Sequence, residues 1–379
     1  MSNTPLREVS IPNPPDDVFL DIARSCDPIT IAQIRETNPF WSQKLKSYEF
    51  VKEMSDIWKK KSTSLFLHYA VNEAFPMKLD WIMRLDSKTG QSSNFYLPFL
   101  LSHEGWVQII RVKNGVFCLR YCLVGRKAFL RVWNPATREI RKLSSPAMHA
   151  VGFCSCVYAF CYYAKSIHYG VAHFFKEHES SLAYKLALYT SLTGAWETSI
   201  MCPTFVRNLD PTYVSLNGTI YMLTIPTDEE ELPTVVSFSL ETRSFKQFQV
   251  PAEVVGHCHG LYLLDDRLCL AGNEHFEDAY TTTMWEISNI NEQPTWSHLF
   301  YYHGNGNPYI PAAFDNGGLI QVMESHDPIG DEENNRYSLF HVTRYQPQDE
   351  ISSTLQYIEY DNIMGLKSAN VYHETIFPV

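Results

Sequence analysis

Four segments of one texture recur along this chain: RVWNPATREIRKL at 131–143, ALYTSLTGAWETS at 187–199, VSFSLETRSFKQF at 236–248 and TMWEISNINEQPTWSHL at 283–299. Each reads as an apolar strand, a polar turn and a second strand led by Ile140, Trp196, Phe245 or Trp296. The aromatic anchors Trp133, Tyr189, Phe238 and Trp285 stand at intervals of about 50 residues, the period of a propeller blade rather than of a helical solenoid. A unit of that size cannot bury both faces of its own sheet, so it must stack on its neighbours. Between these hairpins runs a second element, KNGVFCL, LNGTIYML, DDRLCLAG and NGGLIQVM, in which turn residues precede alternating apolar positions. Asn-Gly supplies the positive φ pair of a tight hairpin, so each such stretch is expected to feed an inner strand with the aromatic hairpin outside it. Residues 62–379 then divide into roughly six blades of about four strands. The acidic stretches TDEEELP and GDEENN are expected as exposed insertions on a rim.

The first sixty residues differ. Asp27-Pro28 sets a cap before a proline at the first helical position, Thr37 and Ser47 are candidate caps for two further helices, and KKKS at 59–62 reads as a solvated linker. If Pro15 opens a helix, Val18, Phe19, Leu20, Ile22 and Ala23 spread over an arc of roughly 200°, about twice the stripe needed to lie on one core. The surplus calls for a second covering surface. The fold class is therefore mainly β: a short N-terminal helical module followed by a β-propeller-like domain.

A formal charge of −11 argues against nucleic acid as a partner and leaves a basic protein open. The start MSNTPLREVS lacks the apolar core of a signal peptide, and no apolar run approaches the ~20 residues of a membrane helix. No membrane contact is expected, and the setting is cytoplasmic, nuclear or both. Nine scattered cysteines read as reduced thiols. Catalytic and metal motifs are weak: His173 and His178 are spaced wrongly for a zincin helix, His257 and His259 lack an acidic or cysteine neighbour, and Cys154 and Cys156 lack C-x-x-C spacing. No phosphate-binding loop, dinucleotide fingerprint or nucleophile elbow occurs. The chain reads as non-catalytic, with no metal and no cofactor.

Taken together, the two parts resemble plant F-box proteins with a C-terminal F-box-associated domain, including those of the S-locus type. Pro15-Asp16-Asp17 is similar to the F-box opening, Val18 and Phe19 to its paired leucines, Asp21-Ile22 to its Glu-Ile, and Trp41 to its late tryptophan. VWNPATREIRKLSSP is similar to the signature hairpin of the associated domain, and the later segments follow in the family's order. The repeated Gly-Gly of kelch repeats is met once, at 317–318, so the propeller is kelch-like only. The resemblance implies an F-box at 12–60 docking a Skp-family adaptor, and through it a cullin, by way of Pro15, Asp16, Val18, Phe19, Ile22, Ile29, Ile31, Ile34 and Trp41. It implies at 62–379 a domain that holds a target protein for an SCF-type ubiquitin ligase. Target-binding residues are sought on loops, in HFFKEHESS, TDEEELP, AGNEHFEDAY and YYHGNGNPY, with Phe276, Tyr280, Tyr302 and Tyr309 as aromatic anchors. Two other readings stay open: a stand-alone interaction propeller with a degenerate F-box, and a propeller enzyme. Adaptor capture separates the first from both.

Overall fold

The computed structural model describes residues 15–61, 64–71, 80–86, 89, 91–95, 105–123, 128–143, 156–178, 181, 183–226, 231–255, 257–264, 266–276, 279–290, 292–305, 307–315, 318–325, 337–346, 351–361 and 363–379. Four helices come first: α1 (Asp16–Ser25), α2 (Pro28–Thr37), α3 (Pro39–Leu45) and α4 (Tyr48–Lys61). Asp27 caps α2, its carboxylate accepting the Thr30 amide at 2.9 Å, with Pro28 in the first turn where no helical bond is lost. Asn38, rather than Thr37, caps α3: Asn38 Oδ1 accepts the amides of Phe40 and Trp41 at 3.0 and 3.2 Å. Thr37 stays inside α2 and returns its hydroxyl to Gln33 O at 3.0 Å. The basic run at 59–61 is the last turn of α4, not a linker, and places cations where the helix dipole favours them.

Among the described residues the remaining elements are strands, apart from α5 (Ala252–Val255). In chain order the strands are β1 (Ser64–Val71), β2 (Asp80–Asp86) and β3 (Ser92–Phe95); β4 (Gly105–Lys113), β5 (Val116–Leu123), β6 (Phe129–Trp133) and β7 (Ile140–Leu143); β8 (Val157–Tyr162), β9 (Tyr169–Phe175), β10 (Lys185–Thr190) and β11 (Ala195–Met201). Then come β12 (Leu209–Leu216), β13 (Thr219–Thr224), β14 (Thr234–Ser239) and β15 (Phe245–Gln249); β16 (His257–Leu264), β17 (Arg267–Phe276), β18 (Ala279–Ser288) and β19 (Thr295–Asn305); and β20 (Asn307–Asp315), β21 (Gly318–Ser325), β22 (Tyr337–Gln346), β23 (Ile351–Asp361) and β24 (Ile363–Tyr372). Among the described residues they form six four-stranded antiparallel sheets, and the last strand completes the first sheet in the order β24-β1-β2-β3. The strands β4, β8, β12, β16, β20 and β24 touch one another in a closed ring, so they line the axis of a β-propeller.

The aromatic anchors all sit on third strands: Trp133 on β6, Tyr189 on β10, Phe238 on β14 and Trp285 on β18. Three of them pair directly with the residue that leads the outer strand, Trp133 with Ile140, Tyr189 with Trp196 and Phe238 with Phe245. The Asn-Gly turns carry the expected positive φ, 50° and 67° at Asn114-Gly115 and 46° and 74° at Asn217-Gly218. They feed the second strand of their sheets, inside the aromatic hairpin formed by the third and fourth strands, as the pattern implied.

Consecutive antiparallel order divides the connections between two faces. Turns from first to second strand and from third to fourth lie on one face; links from second to third strand and from one blade to the next lie on the other. Helix α4 enters β1, and the tail at 373–379 leaves β24, both on the first of these faces.

Two candidate docking surfaces

The helices meet the propeller through that tail. One continuous apolar cluster joins Phe19, Ala23, Ile31, Trp41, Leu45 and Met54 of the helices to Ile376 and Phe377 and on to Val116, Tyr162 and Tyr169 of the blades. Arg35, buried on α2, donates to Leu45 O at 3.2 and 2.7 Å and to Ile376 O at 2.6 Å. Desolvation lowers its guanidinium from its ordinary range to about 10, and the nearby Glu139 carboxylate opposes the shift. Ser55 on α4 bonds His373 Nε2 at 2.9 Å. On the propeller side the fully buried Asn134 organises its own turn, Oδ1 accepting the amides of Ala136 and Thr137 at 2.9 and 3.3 Å. Its Nδ2 donates to Thr375 O at 3.0 Å and Phe377 O at 2.9 Å. An Asn-Pro turn announces the first pair of bonds; nothing local announces partners more than two hundred residues away.

On the side of α1 turned away from this cluster, Val18 and Ile22 are exposed at 46% and 53%, four residues apart and so one turn apart on one helix face. Pro15 and Asp16 are exposed beside them, and Asp16 pairs with Lys44 of α3. Phe19, Ile31 and Trp41 are turned inward; Phe19 stacks on Trp41 with ring centroids 3.6 Å apart. As docking residues they are corrected to supports of the surface, because this stack is the interior of the helical module. Ile29 and Ile34 are half-buried, Ile34 against the cluster. Phe40, which shares the short α3 with the buried Trp41, is 53% exposed, edge-on to Trp41 at 4.7 Å. Val18, Ile22 and Phe40 are large apolar groups in water on the two helices that the Phe19–Trp41 stack joins.

The described residues of the four segments expected to hold a target all fall towards the second face, opposite the helices. HFFKEHESS runs from the end of β9 towards β10, TDEEELP lies between β13 and β14, AGNEHFEDAY between β17 and β18, and YYHGNGNPY between β19 and β20. Residues 179, 180, 182 and 227–230, and all of GDEENN, lie outside the described residues. The expectation that these stretches are loops is corrected for three of them, HFFKEHESS beginning with the last three residues of β9. Phe276 ends β17, Tyr280 is on β18, Tyr302 on β19 and Tyr309 on β20; Tyr280 pairs with Gly304 and Tyr302 with Thr282. The Thr- and Tyr-rich composition carries the ladder to within two residues of the hairpin tip.

His173 is buried on β9, stacked at 4.0 Å on Tyr158, while His178 is exposed beyond the strand. His257 and His259 lie on β16, Cys156 is a free thiol, and Cys154 lies outside the described residues. Among the described residues no three His, Cys, Asp or Glu groups stand close enough to hold a metal ion, and no described helix is long and apolar enough to cross a membrane.

Comparison with known proteins agrees with the propeller. The family model described as "F-box associated beta propeller domain" matches residues 103–359. No curated protein matches the sequence. Among solved structures the chain is similar to TolB from Acinetobacter baumannii, with 8% identity, 86% of this chain and 72% of that one covered, and a TM-score of 0.46. It is similar also to prolyl oligopeptidase B from Galerina marginata, with 10% identity, 92% and 57% covered, and a TM-score of 0.42. These likenesses are too distant to bear on activity.

Proposed function

The chain belongs to the F-box associated β-propeller family, and from that premise we propose that it is a non-catalytic substrate receptor of an SCF-type ubiquitin ligase. The helices at 12–60 act as an F-box that docks a Skp-family adaptor and through it a cullin; the propeller holds the target. The observation that carries this reading is the placement of two surfaces at opposite ends of one body. Val18 and Ile22 stand in water on the helical side, and the candidate target segments lie on the far face of the propeller. A receptor works by proximity, raising the local concentration of target lysines near a conjugating enzyme. That requires both partners to be held at once without collision, with a joint that keeps their spacing. The bonds of Arg35, Ser55 and Asn134 to the tail supply such a joint. The net charge of −11 suits a basic target, as S-locus-type relatives would have, met in the cytoplasm or nucleus.

The test is affinity purification of the full chain from plant cells with degradation blocked. Adaptor and cullin should co-purify, together with a target that accumulates only under the block and is lost when Tyr280 and Tyr302 are both replaced by serine. A target recovered without adaptor or cullin would overturn the ligase reading in favour of a stand-alone interaction propeller.

A further inference from the structure

The propeller axis holds two cations that the docking surfaces do not use. Arg111 and Lys113 are at alternate positions of β4, the innermost strand of its sheet, so both side chains leave one face of that strand. The Arg111 guanidinium carbon lies 5.7 Å from the ring centroid of Tyr213 on β12, the innermost strand two blades further on, so it reaches across the axis. Tyr213 Oη accepts the Phe160 amide of β8 at 2.8 Å, which leaves its own proton to donate. Tyr262, on β16, is close enough to Arg111 for the two to influence each other's ionisation. Tyrosines of two other innermost strands, β12 and β16, therefore flank the guanidinium.

Among the described residues, neither Arg111 nor Lys113 has a hydrogen-bond or ion-pair partner. Among the described residues two carboxylates border the cluster, Asp210 beside Tyr262 and Asp266 towards Lys113. Asp210 is engaged by Thr212, whose amide and hydroxyl donate to it at 2.6 and 2.5 Å. Asp266, exposed in the turn between β16 and β17, attracts Lys113 from beyond ion-pair distance. Burial pushes both cations below their ordinary ranges, and for Lys113 the neighbouring Arg111 adds to the shift. Two like charges held together and largely desolvated, with no ion-pair partner among the described residues, are an expensive arrangement for a protein to keep. It becomes favourable when an anion completes it, and Arg presents a planar fork of donors suited to paired oxygens.

We propose that the propeller axis is a binding site for a phosphate group, seated between Arg111 and Lys113 and hydrogen-bonded by the Tyr213 hydroxyl. Two cations match a dianion, and guanidinium, ammonium and phenol together offer more donors than a carboxylate's two oxygens need. The phosphate is either free or carried on a small organic molecule.

Isothermal calorimetry on the full chain at pH 7 and low chloride tests this, with inorganic phosphate and glycerol 3-phosphate as probes. Saturable one-site binding is expected, weakened at least tenfold in Arg111→Met and in Lys113→Met. Tighter binding of glycerol 3-phosphate assigns the site to a small phosphomonoester, and tighter binding of inorganic phosphate to the free ion. Absence of saturable heat with both probes, or equal affinity in the variants, overturns the proposal. Melting temperature guards against misfolded variants. Without phosphate, Arg111→Met should melt higher than the parent chain, since a desolvated charge is gone, and added phosphate should no longer raise it. A lower melting temperature with the phosphate response intact would mean that Arg111 serves only to pack on Tyr213, and would overturn the proposal equally.

Discussion

Replacing Arg35 by leucine should loosen the helices from the propeller while leaving the blades intact. The guanidinium makes three bonds, two to Leu45 O at 3.2 and 2.7 Å and one to Ile376 O at 2.6 Å. Hydrogen bonds from a charged donor contribute about 1.5–3 kcal/mol each, so their loss removes roughly 4.5–9 kcal/mol. Against this stands the cost of keeping the charge buried. Lowering from the ordinary guanidinium range to about 10 corresponds to about 3 kcal/mol at ~1.4 kcal/mol per tenfold. Leucine recovers that cost and keeps apolar volume in the site, so the net loss should be about 2–5 kcal/mol. It should be local, because Arg35 bonds the end of α3 and the tail and no strand. Hydrogen exchange read by mass spectrometry is the assay: amides of α1–α4 and of residues 373–379 should lose protection, whereas those of β13, β14 and β17 should keep theirs. Unchanged protection of the helices would refute the view that Arg35 latches them, and equal loss in the blades would show that the two regions unfold as a single unit.

Three further outcomes follow from the same contacts. Trp133→Ala should destabilise the propeller by about 3–5 kcal/mol in denaturant titration, because the ring is 4% exposed and packs on Phe117; a neutral result would remove it from the blade core. Gly115→Ala should cost about 2–4 kcal/mol, since φ is +67° and an added Cβ would meet His373 O at 2.3 Å and Thr375 Cγ2 at 2.4 Å; melting close to the parent would mean the tail does not rest on that turn. His373, driven down to about 4 chiefly by burial and further by Lys59, is neutral in the folded chain, whereas the unfolded chain binds its proton near 6.5. The folded state therefore takes up fewer protons between those values, and the stability it contributes, complete above pH 6.5, is lost as pH falls towards 4. Melting curves over that range should be flatter for His373→Gln than for the parent; parallel curves would contradict the assignment.

How much of this was legible in the sequence depends on the range of the signal. The spacing of Trp133, Tyr189, Phe238 and Trp285 located the third strand of four sheets, because cross-strand pairs such as Tyr189 with Trp196 are made within one hairpin. Asp27 was readable as a cap because its acceptor serves an amide three residues on. Thr37 misled because two capping residues adjoin, and the longer reach of Asn38 settles the competition in the structure. Phe40 and Phe19 are both aromatic residues on short helices, yet one is in water and the other stacked. Helical period places residues on a face without saying which face is covered. The joint through Asn134 and the axis cluster around Arg111 were invisible, since each unites residues remote in sequence that only ring closure brings together. At Phe276 and Tyr280 the error ran the other way: polar residues suggested a loop, and ladder pairing between Phe276 and Ala279 carries the strands to the tip.

Adaptor binding to the outer face of α1 can be measured most directly by calorimetry of the full chain against a recombinant plant Skp-family adaptor, alongside a variant carrying Val18→Asp and Ile22→Asp. Both side chains are about half exposed, at 46% and 53%, so the variant should unfold at the same denaturant concentration as the parent. Burying two carboxylates without partners on docking costs several kcal/mol each, which is most of the ~8 kcal/mol of a micromolar contact. The parent chain should bind one adaptor, and the doubly substituted chain should show no measurable heat. Equal binding by both, or none by the parent, would contradict the account.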